Sequence, residues 1–155
     1  MKHLLNSKGF TLIETILVIS IMGILLGTAS VSLINYQRNN MLRSTADEIS
    51  SNIKRVKSNA ISSLDNNLYG IHFENNKYVV FKGNVYNSSD SSNEIFNLSG
   101  GLTFSNIRLD GSNNLIFSKF FGGALTSGTI DLVSGSKVIR FTINSEGSIE
   151  IGESI

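Results

Sequence analysis

The feature that most constrains this chain is an apolar run close to its N-terminus. The 25 residues from Phe10 to Ile34 contain one charged side chain, Glu14, and the 20 residues 15–34 contain none. A helix rises about 1.5 Å per residue, so 20 residues span about 30 Å, the hydrocarbon thickness of a bilayer. A soluble domain would need a much larger core to bury such a helix. We therefore predict a transmembrane helix over residues 10–34.

Two features inside this run are candidates for function. A carboxylate is costly within a membrane segment, so Glu14 is a candidate functional residue. Gly23 and Gly27 have the Gly-x-x-x-Gly spacing that lets two membrane helices approach closely. Glycine is also common in membrane helices in general, so packing and local flexibility both remain open for this pair.

The flanks of the run predict its processing and its orientation. A secretory signal peptide also begins with a basic segment, but its apolar region is usually about 7–15 residues long and ends at an Ala-x-Ala-like site. This run is longer, and no such site follows it. The short basic leader and the long polar C-terminal region favour a cytoplasmic N-terminus and an extracytoplasmic domain, although basic residues stand on both sides of the run.

The segment from Lys8 to Glu14, Lys-Gly-Phe-Thr-Leu-Ile-Glu, resembles the processing signal of type IV pilins and type II secretion pseudopilins. That signal is a short basic leader ending in glycine, then an aromatic residue, with glutamate fifth after the cut. The resemblance implies cleavage between Gly9 and Phe10 by prepilin peptidase, N-methylation of Phe10, and retention of the helix as an anchor. It also implies that Glu14 pairs with the N-terminus of a neighbouring subunit in a filament.

The chemistry of these residues is compatible with that role. Gly9 has no side chain, so a peptidase can bind extended backbone there. Cleavage creates an α-amino group with a pKa of about 8, mostly protonated at neutral pH. A helix N-terminus disfavours a cation, so a nearby carboxylate is useful. Because Phe10 and Glu14 are four residues apart, we expect them to share a helix face, and Glu14 could also pair with its own terminus.

Beyond a polar hinge at residues 35–40, an amphipathic helical pattern extends to residue 64. Its apolar stripe consists of Leu42, Ala46, Ile49, Ile53, Val56, Ala60 and Leu64. We predict that the helix continues through residues 35–64 and lays this stripe on a sheet; a two-chain coiled coil is the alternative.

The opposite face of this helix carries a small basic cluster, Lys54, Arg55 and Lys57. The cluster is compatible with a solvated face, with contacts to acidic patches of adjacent subunits, or with DNA.

The remaining residues, 65–155, change to a strand-like period. LYGIHF and KYVVFKG predict a hairpin. The last 27 residues predict a three-stranded meander with alternating apolar positions such as Val138, Phe141 and Ile143. The predicted class is α+β, a type IV pilin-like fold in which one long helix packs on an antiparallel β-sheet domain.

This β-rich part also resembles the GspH/FimT branch of minor pseudopilins and minor pilins. The similar segments are the helix end KRVKSNAISS, the strand GTIDL and the final FTINSEGSIEI.

Composition and motifs give no support to an enzyme or to a cofactor. Without cysteine the chain has no disulfide, zinc–thiolate or cysteine-nucleophile chemistry. His72 in an apolar strand is more typical of packing or surface than of catalysis. The segment from Asp110 to Asn114 starts like a calcium loop but lacks the later glycine and acid, so a β-turn is the better interpretation and no metal site is predicted.

The sequence thus predicts a structural subunit, not an enzyme, in four segments. They are a leader removed after residue 9, the transmembrane and filament-core helix 10–34, the amphipathic continuation 35–64, and the β-rich domain 65–155. The expected partners are other pilin subunits, prepilin peptidase, the inner-membrane assembly platform and lipid. Direct nucleic-acid binding is not expected, because residues 65–155 carry six basic and nine acidic side chains.

Three settings fit such a subunit: a type IV pilus, a type II secretion pseudopilus, or a competence pseudopilus that serves DNA uptake. A signal-anchored surface binding domain that never assembles is the alternative from a different class of protein.

Overall fold

The computed structural model describes residues 9–62 and 66–154, without the side chains of residues 28–32 and 154. The predicted leader, apart from Gly9, and Leu64 of the apolar stripe lie outside these residues. One 50-residue helix precedes eight strands. The elements are α1 (Leu12–Ile61), β1 (Tyr69–Glu74), β2 (Lys77–Lys82), β3 (Glu94–Asn97), β4 (Thr103–Leu109), β5 (Asn114–Phe117), β6 (Gly128–Ser134), β7 (Lys137–Ile143) and β8 (Ile149–Ser154).

The strands form two four-stranded antiparallel sheets. One sheet has the order β3-β2-β1-β5 and the other the order β4-β6-β7-β8. The predicted hairpin is β1–β2, and the predicted meander is β6–β7–β8. The α+β class with an N-terminal helix and antiparallel sheets is therefore confirmed, while the division into two sheets was not predicted.

The chain separates into two compact units, residues 1–37 and 38–155. The stretch 35–40, predicted as a polar hinge, is helical and belongs to α1. Within the part of the chain that is described, no helix is both long enough and apolar enough to cross a membrane.

The core of residues 38–155 is built on the apolar stripe of α1. Its six described members are at most 3% exposed: Leu42, Ala46, Ile49, Ile53, Val56 and Ala60. They share one buried cluster with side chains of both sheets, such as Phe73 and Phe141. The stripe therefore packs on sheet, as predicted, and is used within the chain instead of in a coiled coil.

One residue of the predicted meander lies on the other face of its strand. Ile139, Phe141 and Ile143 of β7 are buried, whereas Val138 is only half-buried. Successive strand residues point to opposite faces, so Val138 cannot share a face with Phe141. Ile139 occupies the core position that the sequence analysis gave to Val138.

The side chain of Ile53 is 0% exposed, so Ile53→Ala leaves a cavity in the core. We expect this change to destabilise the unit 38–155 by about 2–5 kcal/mol. The adjacent exposed residue gives the control, and Lys54→Ala should change stability by less than about 0.5 kcal/mol. Urea unfolding of residues 38–155 measures both, since the buried core lies within that unit. Equal effects of the two substitutions would contradict the packing of the stripe.

Candidate processing and assembly site

Thr11 sets the start of the long helix. Its carbonyl accepts the backbone N–H of Thr15 at 3.2 Å, and its hydroxyl oxygen accepts the backbone N–H of Glu14 at 3.4 Å. This is the arrangement of an N-cap residue, and Thr-x-x-Glu is the sequence pattern of a capping box. The helix therefore begins at Leu12, and Phe10 precedes it instead of sharing a helix face with Glu14 as expected.

The predicted cleavage site lies in exposed, non-helical chain. Gly9 and Phe10 have no regular secondary structure, and Phe10 is 82% exposed. A side chain added at Gly9 would meet no atom within 4 Å. The backbone groups on both sides of the Gly9–Phe10 bond are thus not enclosed by the described part of the chain.

The helix that follows is apolar and exposed on every side. All described large apolar side chains from Phe10 to Tyr36 are exposed, by between 46% and 82%. They are Phe10, Leu12, Ile13, Ile16, Leu17, Val18, Ile19, Ile21, Met22, Ile24, Leu25, Leu26, Leu33, Ile34 and Tyr36. Exposed apolar surface of the extent seen over residues 10–27 is typical of contact with a protein or a membrane.

Two polar side chains of this segment are satisfied by their own helix. The hydroxyl of Thr15 donates to the carbonyl of Leu12, and that of Ser20 donates to the carbonyl of Ile16, both at 2.8 Å. Such local bonds let a hydroxyl enter apolar surroundings without an unsatisfied donor. The hydroxyl groups of Thr15 and Ser20 therefore leave no unsatisfied donor on the helix surface.

Glu14 is different, because its carboxylate has no hydrogen-bond or ion-pair partner among the described residues. It stands in the first turn of α1, where the helix dipole favours a negative charge. Together with Phe10, Thr15, Val18 and Ile19 it lines a shallow concavity. An unpaired acid thus borders the residue that would become the new N-terminus.

Gly23 and Gly27 lie on another side of the same helix. At about 100° per residue they stand roughly opposite Glu14. A Cβ atom added at either position would meet nothing within 4 Å. Neither glycine is therefore required by packing within the described chain, and the flat surface that they form is open to a second helix.

The basic cluster on α1 is largely used inside the subunit. Arg55 donates to both carboxylate oxygens of Glu94, at 3.2 and 2.7 Å. Lys57 donates to the backbone carbonyls of Glu146 and Gly147, at 3.2 and 2.8 Å. Arg55 and Lys57 therefore attach α1 to the β-rich part instead of forming a free basic surface.

His72 and Asp110 contact neighbouring residues of the β-rich part. The ring of His72 stacks on Tyr86 with centroids 4.0 Å apart, and its Nδ1 lies 2.7 Å from Oδ1 of Asn114. The carboxylate of Asp110 accepts the backbone N–H of Ser127 at 2.6 Å. Asp110 and Gly111 have positive φ within the turn from Leu109 to Ser112, which agrees with the predicted β-turn.

Sequence reasoning missed one buried acid, Asp131, which is 2% exposed. Arg140, its partner on β7, donates to both carboxylate oxygens at 2.7 and 2.8 Å, and Asn106 adds a third bond at 3.0 Å. These hydrogen bonds, chiefly those from Arg140, hold the pKa of Asp131 below its ordinary value. An aspartate in the apolar strand GTIDLV, opposite an arginine, was the available signal.

The comparison with protein families agrees with the N-terminal part of this site. Residues 4–30 match the family model described as the prokaryotic N-terminal methylation motif. The chain therefore carries the signal of a type IV pilin-like or pseudopilin precursor, which is processed by prepilin peptidase. Neither the curated proteins nor the solved structures include a match to this chain.

We expect Gly23→Leu and Gly27→Leu to weaken self-association of the full chain in detergent micelles about tenfold, equivalent to about 1.4 kcal/mol. The reason is that a larger side chain keeps two helices apart at a surface that glycine leaves flat. Förster transfer between labelled chains measures the association. Ile21→Leu, on the Glu14 side of the helix, is the control, and an equal loss there would argue against a glycine-specific contact.

Proposed function

We propose that this protein is a minor pilin or pseudopilin, a structural subunit that is anchored in the membrane and then assembled into a filament. The observation that carries the proposal is the combination of the methylation motif with an exposed apolar helix. The motif belongs to precursors whose helix is kept after processing, and such a helix needs lipid or other helices around it.

The leader is removed at the bond between Gly9 and Phe10, and the new amine of Phe10 is methylated. The position of the helix start supports this bond, because Gly9 and Phe10 lie outside the regular hydrogen bonding of α1. Methylation to a secondary amine preserves the positive charge. The mature chain then begins with a cation beside a helix N-terminus, where the dipole disfavours it.

Glu14 is the partner of this cation in the assembled filament. Its carboxylate is unpaired among the described residues, unlike the hydroxyls of Thr15 and Ser20. In an apolar filament core, removing one member of such a pair leaves a buried charge and costs about 3–5 kcal/mol. The pair therefore favours one axial register between neighbouring helices.

Before assembly, the run 10–34 anchors the subunit in the inner membrane with residues 38–155 outside the cytoplasm. The support for this anchor is the charge-free stretch 15–34. The surface at Gly23 and Gly27 provides the contact with a neighbouring helix. Within the pilin class we favour the GspH/FimT branch. The support is that FTINSEGSIEI, the segment of this chain that resembles that branch, forms the β7–β8 hairpin. The further partners are the prepilin peptidase and the assembly platform.

Mass spectrometry of the mature protein tests the processing. We expect the chain isolated from the cells that make it to begin at N-methyl-Phe10, with residues 1–9 absent. Gly9→Val should leave most of the chain uncut, whereas Lys2→Ala, elsewhere in the leader, should be processed normally. A mature protein that retains Met1 would favour the surface domain that never assembles and would overturn the proposal.

Replacement of Glu14 tests the assembly role. We expect Glu14→Ala and Glu14→Gln to be cleaved and inserted normally but to enter sheared filaments at least about tenfold less than the wild type. The physical reason is that each leaves the neighbour's terminal cation unpaired in apolar surroundings. Asp47→Ala is the matched control, since Asp47 is an exposed acid on the same helix. Normal incorporation of both Glu14 variants would refute the pairing.

A further inference from the structure

In the part of the chain that the structure describes, the two sheets end in four edge strands, β3, β5, β4 and β8. An open strand edge presents unpaired backbone groups, and proteins usually protect it with a short strand or a bulge. β3 and β5 have four residues each, and the register of β4 shifts between Ser105 and Arg108. β8 has six residues, Ile149–Ser154, which pair with β7 without a break. It is therefore the long and regular edge of this group.

The backbone of β8 faces its open edge at every second residue. The N–H of Asn144 donates to the carbonyl of Ser148 at 3.1 Å, so this pair is hydrogen-bonded at the turn between β7 and β8. Paired residues of antiparallel strands alternate between those that bond to each other and those whose backbone groups point away. Along the register of β8, the N–H and carbonyl groups of Ile149, Ile151 and Glu153 therefore point away from β7. Among the described residues these groups have no hydrogen-bond partner, so they form a template for another strand.

The side chains beside this edge differ between the two faces of the sheet. Ile151 is paired with Phe141, a core residue, yet it is 45% exposed because no described strand lies beyond β8. Glu150 points to the opposite face, since neighbouring strand residues alternate, and it is exposed. Glu153 is already held by Arg43 at 3.0 Å. The edge thus offers a partly exposed apolar side chain on one face and a carboxylate without a described partner on the other.

These features specify the conformation and the chemistry of a partner. Backbone donors and acceptors that repeat at every second residue, about 6.8 Å apart, match the groups of another extended chain. In an added strand, an apolar side chain opposite Ile151 would cover its exposed surface. The adjacent residue of that strand would lie on the face of Glu150, where a lysine or an arginine is favoured. The matching partner is therefore an extended segment in which apolar and basic residues alternate.

A second copy of β8 does not match this edge. The segment Ile149–Ser154 contains two acidic residues, Glu150 and Glu153, and no basic one. Pairing two of these strands would place no cation beside Glu150 and would bring the carboxylates of both copies to one edge, and like charges disfavour strand pairing. The charge pattern thus favours a different protein, which agrees with the role of a minor subunit.

We propose that the open edge of β8 binds an extended segment of a different protein, with alternating apolar and basic residues, as a fifth strand of the sheet β4-β6-β7-β8. The inference goes beyond filament assembly, because it assigns a partner to the β-rich part. The contact involves residues 149–153 and needs neither leader cleavage nor the N-terminal helix.

Amide hydrogen exchange, followed by NMR in the full isotope-labelled chain in micelles of an uncharged detergent, tests the edge. We expect the N–H of Ile151 to exchange at least about tenfold faster than those of Glu150 and Gly152, which bond to β7. The probe is the peptide Thr-Lys-Val-Lys-Val-Lys-Thr, blocked at both ends. Saturation with this peptide should remove the difference, because the added strand supplies an acceptor for the N–H of Ile151.

Two matched changes separate strand addition from adsorption of a basic peptide. N-methylation of the valine nitrogens of the peptide removes the donors that would face β8 and should abolish its effect on Ile151. Glu150→Lys should weaken binding of the original peptide about fivefold, and this variant should prefer a peptide with glutamate in place of lysine. Asp90→Lys makes the same change of net charge in the loop between β2 and β3, and it should leave the affinity unchanged.

Equal protection by the N-methylated peptide would overturn the proposal, and so would unchanged exchange at Ile151. Slow exchange of Ile151 that depends on protein concentration, without peptide, would indicate a second copy at the edge and contradict the proposal too. The N–H of Phe141, inside the sheet, reports that each variant is folded. The N-terminal mass and the filament yield test the proposed function separately.

Discussion

The apolar surface of the N-terminal helix is the constraint on which the rest of this molecule depends. Its described large side chains remain exposed by roughly half or more, although burying each would contribute about 1.5–3 kcal/mol. No member of this group belongs to the buried core cluster, which begins at residue 42. The described apolar side chains of this segment therefore remain unburied, whereas the core of residues 38–155 is formed without them.

Glu14 stands where the start of α1 favours a negative charge. As the third residue of a helix capped by Thr11, it is favourable next to the unsatisfied amides of the first turn. This explains why an acid is tolerated there in a single uncut chain. In the processing that we propose, the new amine of Phe10 is the cation nearest to this carboxylate in sequence. The Thr11 cap fixes the backbone of Glu14 at the helix start, and the described residues leave its carboxylate without a partner.

Part of the fold could be predicted from periodicity, because the C-terminal half of α1 and strand β7 each bury one face. The α1 stripe follows from this rule, and the β1–β2 and β7–β8 pairings follow from β-rich runs separated by turn residues. Val138 was assigned to the wrong face of β7 because it is adjacent to a second apolar residue, Ile139. A shift of one residue along a strand exchanges its buried and exposed faces. The predicted start of the helix at Phe10 was also wrong. Phe10 belongs to the same apolar run, but the Thr11 hydroxyl caps the helix, which begins at Leu12.

The residues that sequence reasoning could not place are those whose role depends on contacts distant in sequence. Arg55 and Lys57 read as a basic patch, yet Glu94 and the turn carbonyls of Glu146 and Gly147 use their donors. These contacts fix the C-terminal half of α1 to both the β3 edge and the β7–β8 turn. The loop between β5 and β6 contacts the same end of the helix, where the N–H of Phe120 donates to the carbonyl of Ala60 at 3.3 Å. Phe120 in this loop has a φ of 65°, and such a backbone conformation persists only where surrounding contacts enforce it.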